Sequence, residues 1–434
     1  MLNNTCIDID YQQLFKHGQQ IGGDVFLLDR QPGNNIITAT LSDGLGSGVK
    51  ANVLASLTSH MANKLSFSPI DLNHSAEIIM DTLPVDKDKG ISYSTFTIAK
   101  IVYSSDKSFI NVGLIEYDNP SALRFHGSEQ TLWNRHANRL NRKNAVKKEV
   151  VYSSDFSMEL GDRLIFFSDG VAQAGVSLGS VSENSISAGS RRGGPAVYGA
   201  KTPTVRKPSS RSNEVGAMGW GEANVKKFIQ GVLEKRPDIS SRDLTREIVT
   251  QAYKFDNYKA NDDITCVAVH IRKPRRTLIV TGAPRSRESD RKLKQIIENY
   301  EGNVIVCGGT TAKIVARELG KEVKSDRQPS GNLPPSSKIE GIDLVTEGML
   351  TLSAVNERLT KKILLKEMPE DPAKRFIKLL RETDQVEMVV GTKINDETDD
   401  PNLAAKIGIR FPLIDSIVRA LEHNYLMEVE VRYL

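Results

Sequence analysis

Ile36-Ile37-Thr38-Ala39-Thr40-Leu41-Ser42-Asp43-Gly44-Leu45-Gly46-Ser47-Gly48 decides how this chain is read. Ile36–Leu41 is rich in β-branched and apolar residues and predicts a strand. The strand runs into Asp43 and then into glycines at 44, 46 and 48. Beyond Gly48, the residues Val53, Leu54, Leu57, Met61 and Leu65 recur at helical spacing. That spacing predicts a helix carrying them along one face, with Ser47 as its cap.

An aspartate at a strand edge recurs elsewhere. Asp24 follows Gly22-Gly23 and precedes the apolar run Val25–Leu28. Asp169 follows Leu164–Phe167 and is itself followed by Gly170. Asp262 and Asp263 immediately precede Ile264–Ile271, a run apolar on both faces that predicts a buried strand. Taken singly, Asp-Gly is first of all a turn dipeptide, and Asp262-Asp263 is enough to blunt a strand end. Taken in order, the set offers more. Carboxylates at strand ends can converge without burying unpaired charge in a core. Hard divalent cations such as Mg²⁺ and Mn²⁺ prefer oxygen ligands of this kind. A neighbouring glycine lets the backbone turn sharply and present a carbonyl. Two ions about 3.5–4 Å apart can share a water, lower its pKa and clamp a phosphoryl group for in-line attack.

Gly22-Gly23-Asp24, Ser42–Gly48, Phe167-Ser168-Asp169-Gly170-Val171 and Asn261-Asp262-Asp263-Ile264-Thr265 resemble the motif series of the metal-dependent, type 2C-like protein phosphatases. Within that family the bacterial SpoIIE-type branch is the most similar, over residues 20–272. The resemblance implies an α-β-β-α sandwich, two antiparallel sheets face to face with helices outside. It implies two Mn²⁺ or Mg²⁺ ions. Asp43 would bridge both and be the central catalytic residue, the Gly44 carbonyl and Asp24 would hold one ion, and Asp169 and Asp262 the other. Asp263 would stand beside this set. The implied reaction is hydrolysis of phosphoserine or phosphothreonine by an activated water, on a regulatory protein such as an anti-sigma-factor antagonist. Small phosphate esters would suit the same chemistry. A degenerate, inactive version would serve only as a binding module, but such a scaffold has no need of all the aspartates. Where the eukaryotic branch has a histidine after Asp-Gly, this chain has Leu45. His60 and His126 read as core or surface residues, and Arg163, ahead of a strand, as solvent-facing rather than as a phosphate clamp.

The rest of the chain sorts around these motifs. Phe96–Val102 and Phe109–Tyr117 predict further strands, and Ala223–Glu234 and Ser241–Phe255 two helices joined at Pro237. Residues 174–220 are rich in Ser, Gly and Arg and predict a flexible surface insertion, whose basic residues suit either an acidic partner or plain solvation. Arg272–Arg276 reads as a linker, which divides the chain into domains at 1–273 and 274–434. In the second, strand-like runs alternate with helical ones from Leu278 to Arg432, predicting an α/β layer fold with a parallel sheet. The whole protein is thus α/β. In Val304-Ile305-Val306-Cys307-Gly308-Gly309-Thr310-Thr311-Ala312 a strand meets a glycine-rich turn and a helix start. One reading is an anion site for a small-molecule ligand that regulates the enzyme. The other is a tight turn in which a threonine caps the helix.

The net charge of +4 on 434 residues is too small for a nucleic-acid footprint. Three scattered cysteines suggest neither a zinc site nor a disulfide framework. No secretory start is evident, and no run reaches the roughly 18 apolar residues of a membrane span. A cytoplasmic protein is expected.

Overall fold

Leu164–Phe167 shows how the layers are built. In the computed structural model, Leu164 and Phe166 join one apolar cluster with Leu41, Ala99 and Val267. Ile165 and Phe167 join another with Val225, Ile229 and Ile248. A strand whose alternate residues enter two different cores lies between a second sheet and a helical layer. The structure describes residues 5–31, 36–68, 72–84, 94–103, 109–140, 149–176, 219–325, 332–393, 402–425 and 427–434. They fall into two units, one of Ile7–Arg272 and the other of Lys273–Leu434 together with the residues up to Cys6.

The first unit opens with β1 (Cys6–Leu14), β2 (Asp24–Gln31), β3 (Ile36–Gly44), α1 (Val49–Phe67), α2 (Leu72–Thr82), β4 (Ser94–Tyr103) and β5 (Ile110–Tyr117). It continues with β6 (Leu123–His126), β7 (Glu129–Thr131), β8 (His136–Leu140), β9 (Glu149–Met158) and β10 (Asp162–Phe167). It ends with α3 (Asp169–Ala172), α4 (Glu222–Lys235), α5 (Ser241–Phe255) and β11 (Ile264–Arg272). One sheet runs β2-β3-β4-β5-β9-β8 and the other β1-β11-β10-β6-β7. Ile37, Ala39, Leu41, Ala99 and Ile101 of the first sheet meet Leu164, Phe166, Val267 and Val269 of the second. On the outer side of the first sheet, Phe96, Ile98 and Ile115 pack under Ala62, Ile79 and Met80 of α1 and α2. On the outer side of the second, α4 and α5 cover Ile165, Phe167 and Cys266. This is the α-β-β-α order.

Several local expectations change. The helix after Gly48 is present, but its buried face is Ala51, Ala55, Thr58, Ser59, Ala62, Asn63 and Ser66. Val53 and Leu57 are 60% and 45% exposed. The reason lies beneath it: Ser59 hydrogen-bonds Ser42 at 3.0 Å and Thr40 donates to Asn63 at 2.9 Å, a polar contact that larger side chains would hold apart. Gly48, not Ser47, is the N-cap, and no side chain caps the helix. Arg163 is buried at 2% exposure, inside β10, and donates to the carbonyls of Pro237 and Ile239. It ties down the turn between α4 and α5. Of the insertion, residues 177–218 lie outside the described residues. Its two ends belong to the core: Trp220 is buried and donates its backbone N–H to Ala174.

The second unit contains β12 (Arg276–Thr281), α6 (Arg287–Glu298), β13 (Asn303–Cys307), α7 (Gly309–Leu319), β14 (Lys324–Ser325), β15 (Ser337–Lys338) and β16 (Leu344–Thr346). It ends with α8 (Met349–Thr360), α9 (Pro372–Arg381), β17 (Gln385–Val390), α10 (Asn402–Tyr425) and β18 (Glu428–Tyr433). The sheet order is β14-β15-β16-β13-β12-β17-β18. From β16 to β18 every pair is parallel, as expected for strands joined through helices. Helices α6 and α7 cover one face and α8, α9 and α10 the other. No helix among the described residues is long and apolar enough to cross a membrane.

Candidate active site

Antiparallel pairing of β2 with β3 puts Asp24 directly opposite Asp43. The pairing continues into the turn, where the Gly44 N–H donates to the Gly23 carbonyl at 3.3 Å. Gly44 must be glycine, because a Cβ there would lie 2.0 Å from the Ala51 carbonyl oxygen at the start of α1. From the other sheet, β10 ends at Phe167 and passes through Ser168 to Asp169 at the start of α3, while Asp262 and Asp263 lead into β11. Two bonds lock these turns together. The Ser168 N–H donates to the Thr265 carbonyl at 3.0 Å, and the Thr265 N–H donates to the Ser168 hydroxyl at 3.1 Å. Gly170 fits under this clasp, since a Cβ on it would stand 2.1 Å from the Asp263 carbonyl oxygen.

The result is one acidic neighbourhood drawn from both sheets. Burial first, and then the charges of Asp169, Asp262 and Asp263, push the Asp43 carboxyl up to about 8. Asp24 is also raised, by burial and then by Asp43, against the 2.6 Å hydrogen bond it accepts from the Thr265 hydroxyl. Asp169 is raised by burial and then by Asp262. Its carboxylate accepts from the Gln173 amide at 2.8 Å. Asp43 thus interacts with Asp24, Asp169 and Asp262, and Asp169 with Asp262, while Gly44 follows Asp43 directly in the chain.

Asp263 has another task. Its two carboxylate oxygens accept from the backbone N–H groups of Lys16 at 2.9 Å and Gly23 at 2.6 Å, which fastens the approach to β2 onto β11. The Lys16 ammonium stands 3.7 Å from Asp262. Thr265, Gln173 and Lys16 did not stand out in the sequence. Only Thr265, next to the Asp-Asp pair, carried a local signal, as part of a motif. His60 is exposed. His126 is bonded to Asp162 at 2.8 Å.

The donors present are carboxylate oxygens, hydroxyls and backbone carbonyls, the chemistry that suits Mg²⁺ or Mn²⁺. As the side chains stand, no group of three or more His, Cys, Asp or Glu among the described residues is arranged to hold a metal ion.

No known family model matches the chain, and no curated protein matches it in sequence. Solved structures do match in fold. The phosphatase domain of the cell-fate determinant SpoIIE from Bacillus subtilis is similar. The TM-score is 0.41 with 15% identity, over 63% of this chain and 95% of that one. RsbX in complex with magnesium gives a TM-score of 0.36 with 16% identity, over 62% of this chain and 98% of that one. The catalytic domain of the serine/threonine protein phosphatase PstP, in complex with two manganese ions, gives 0.33 with 10% identity, over 62% and 100%. Likeness at this level is one of chain path and carries no activity with it.

Proposed function

We propose that residues 1–273 form a metal-dependent phosphatase domain of the SpoIIE type that hydrolyses phosphoserine or phosphothreonine on a regulatory protein. The observation that carries this reading is geometric: Asp24 and Asp43 face each other across β2 and β3, with Asp169, Asp262 and Asp263 near enough to raise the buried Asp43 carboxyl. Such a gathering is unfavourable unless the carboxyls hold protons or a cation lies among them. Among the described residues there is little counter-charge: the Lys16 pairing with Asp262 is long and joins two partly exposed groups. Asp24, Asp43, Asp169, Asp262 and the Gly44 carbonyl would hold two Mn²⁺ or Mg²⁺ ions, which supply when bound an acidified water and a clamp for the phosphoryl group.

The protein's own contribution is positioning. The Thr265 hydroxyl fixes the Asp24 carboxylate, Gln173 holds Asp169, and the Ser168–Thr265 clasp sets the distance between the turns. With Leu45 after Asp-Gly and His60 exposed, the leaving oxygen is protonated from solvent in this reading. A phosphorylated protein partner, such as an anti-sigma-factor antagonist, follows from the motif resemblance.

The test is Mn²⁺-dependent hydrolysis of an aryl phosphate by the full chain and by Asp43→Asn. Turnover by the wild type alone is expected. Equal inactivity of both favours the second reading, a non-catalytic binding module.

A further inference from the structure

The second unit holds a crevice unrelated to the carboxylate cluster. Its sheet grows from β12 outward through β13 to β16, then returns to the other side of β12 with β17 and β18. At such a reversal the loops leaving the carboxyl ends of the strands part, and ligands settle between them. Here they part around a crevice of ≈ 270 Å³, lined by the ends of β12, β13 and β16, by Lys393 after β17, and by Arg410 of α10.

Two helices start side by side on its wall. Gly308, before α7, donates its N–H to the Thr346 carbonyl at 2.9 Å. A Cβ on Gly348, before α8, would lie 3.3 Å from the Gly308 Cα. The two starts differ. Glu347 accepts from the Leu350 N–H at 3.0 Å and so serves the first turn of α8. At α7 the N-cap is Gly308, with φ 114°, and no side chain caps it, so the threonine cap anticipated from the sequence is absent. Gly309, Thr310 and Thr311 of that turn all line the crevice.

Arg410 supplies an independent sign of an anion. Its guanidinium lies over Gly282, where a Cβ would be 2.7 Å from Nη1. Its one hydrogen bond among the described residues is a long contact of 3.5 Å to the Gly391 carbonyl. Burial lowers its pKa, and among the described residues no carboxylate is seen to offset this. A half-buried cation of this kind is costly without a partner. Lys393 brings a second positive charge, and Glu347 an acceptor.

We infer that this crevice binds a small phosphorylated, hydroxyl-bearing molecule, a sugar phosphate or a nucleotide. Its phosphate rests on the first turn of α7 between Lys393 and Arg410, and a hydroxyl donates to Glu347. Backbone N–H groups at a helix start and a guanidinium fork are the donors that phosphate oxygens take best. The volume suits a small molecule.

The experiment is isothermal titration of the full chain with ribose 5-phosphate, AMP and inorganic phosphate, in EDTA so that the acidic centre of the other unit holds no metal and repels anions. At least one organic phosphate is expected to bind at one site per chain, more tightly than inorganic phosphate, and the better of the two identifies the source. Arg410→Gln and Gly309→Asp should each weaken it by about tenfold or more. Gly309→Asp retains the fold, since a Cβ at that position meets nothing within 4 Å and an acid suits a helix start. Asp43→Asn should bind like the wild type, which separates this site from the phosphatase reading. Absence of saturable binding of both organic phosphates up to about 10 mM, or binding indifferent to Arg410→Gln and Gly309→Asp, overturns the inference.

Discussion

Both candidate sites lie where strands end, yet the centre of the first unit gathers carboxylates while the crevice of the second gathers N–H groups and cations. The difference follows from strand direction. In the parallel sheet β16-β13-β12-β17, the strands end at one edge and the following helices α7 and α8 begin there. Their partial positive charges sum at that edge. In the antiparallel sandwich neighbouring strands run oppositely, and strand dipoles largely cancel. Charge at its edge comes from side chains, here Asp24, Asp43, Asp169 and Asp262. A fold can therefore set the sign of a site before any side chain is chosen, or leave it to the side chains entirely.

The comparison breaks most readily at Asp43. Asp43→Asn should lower Mn²⁺-dependent aryl phosphate hydrolysis by at least about a hundredfold, with the circular dichroism spectrum unchanged. Retained turnover would detach the carboxylate cluster from the chemistry. Next in size is the demand for glycine. Gly44→Ala puts a Cβ 2.0 Å from the Ala51 carbonyl oxygen, and Gly170→Ala puts one 2.1 Å from that of Asp263. Each should cost about 3 kcal/mol or more, read as a fall in thermal midpoint. Gly309→Ala, with open space at its Cβ, should change stability by less than about 1 kcal/mol. A smaller effect is expected at Thr265→Val, which removes the 2.6 Å hydrogen bond to Asp24. Mn²⁺ affinity measured by titration should fall by about tenfold, with little change in fold.

The last prediction is one of pH. The Asp43 carboxyl is raised from 3.8 to about 8 in the folded protein, so the folded state holds its proton where the unfolded chain has lost it. That stabilisation is full below the unfolded value and is lost as pH rises towards about 8. Without divalent ions, the thermal midpoint should fall across this window. Asp43→Asn should flatten the fall, and Mn²⁺ should reverse it at the upper end, where ions replace protons. A midpoint that rises with pH in EDTA would contradict the electrostatics described for the site.

Much of the secondary structure was legible because periodicity is local. Ile36–Leu41, Phe96–Val102 and Ile264–Ile271 lie within observed strands, and the helix starting at Ser241 has its expected range. Faces were harder to read. Val53 and Leu57 made α1 look apolar on one side, yet its inward side is small and polar because β3 presents Thr40 and Ser42 to it. Arg163 looked like a solvent-facing charge and is a buried tie to the turn after α4. Trp220 sat inside a Ser- and Gly-rich stretch and turned out to cap a core with Phe228 and Phe255.

The sequence by itself determined which chemistry was on offer: four aspartates at strand edges, glycines beside three of them, and a Cys307-Gly308-Gly309 turn between strand and helix. Residue type and immediate neighbours suffice for that. Only the tertiary structure decided that Asp43 feels Asp169 and Asp262, that Thr265 holds Asp24, and that Arg410 stands over Gly282. These groups are separated by more than a hundred residues, and burial and electrostatic coupling act through space, so no local pattern along the chain encodes them.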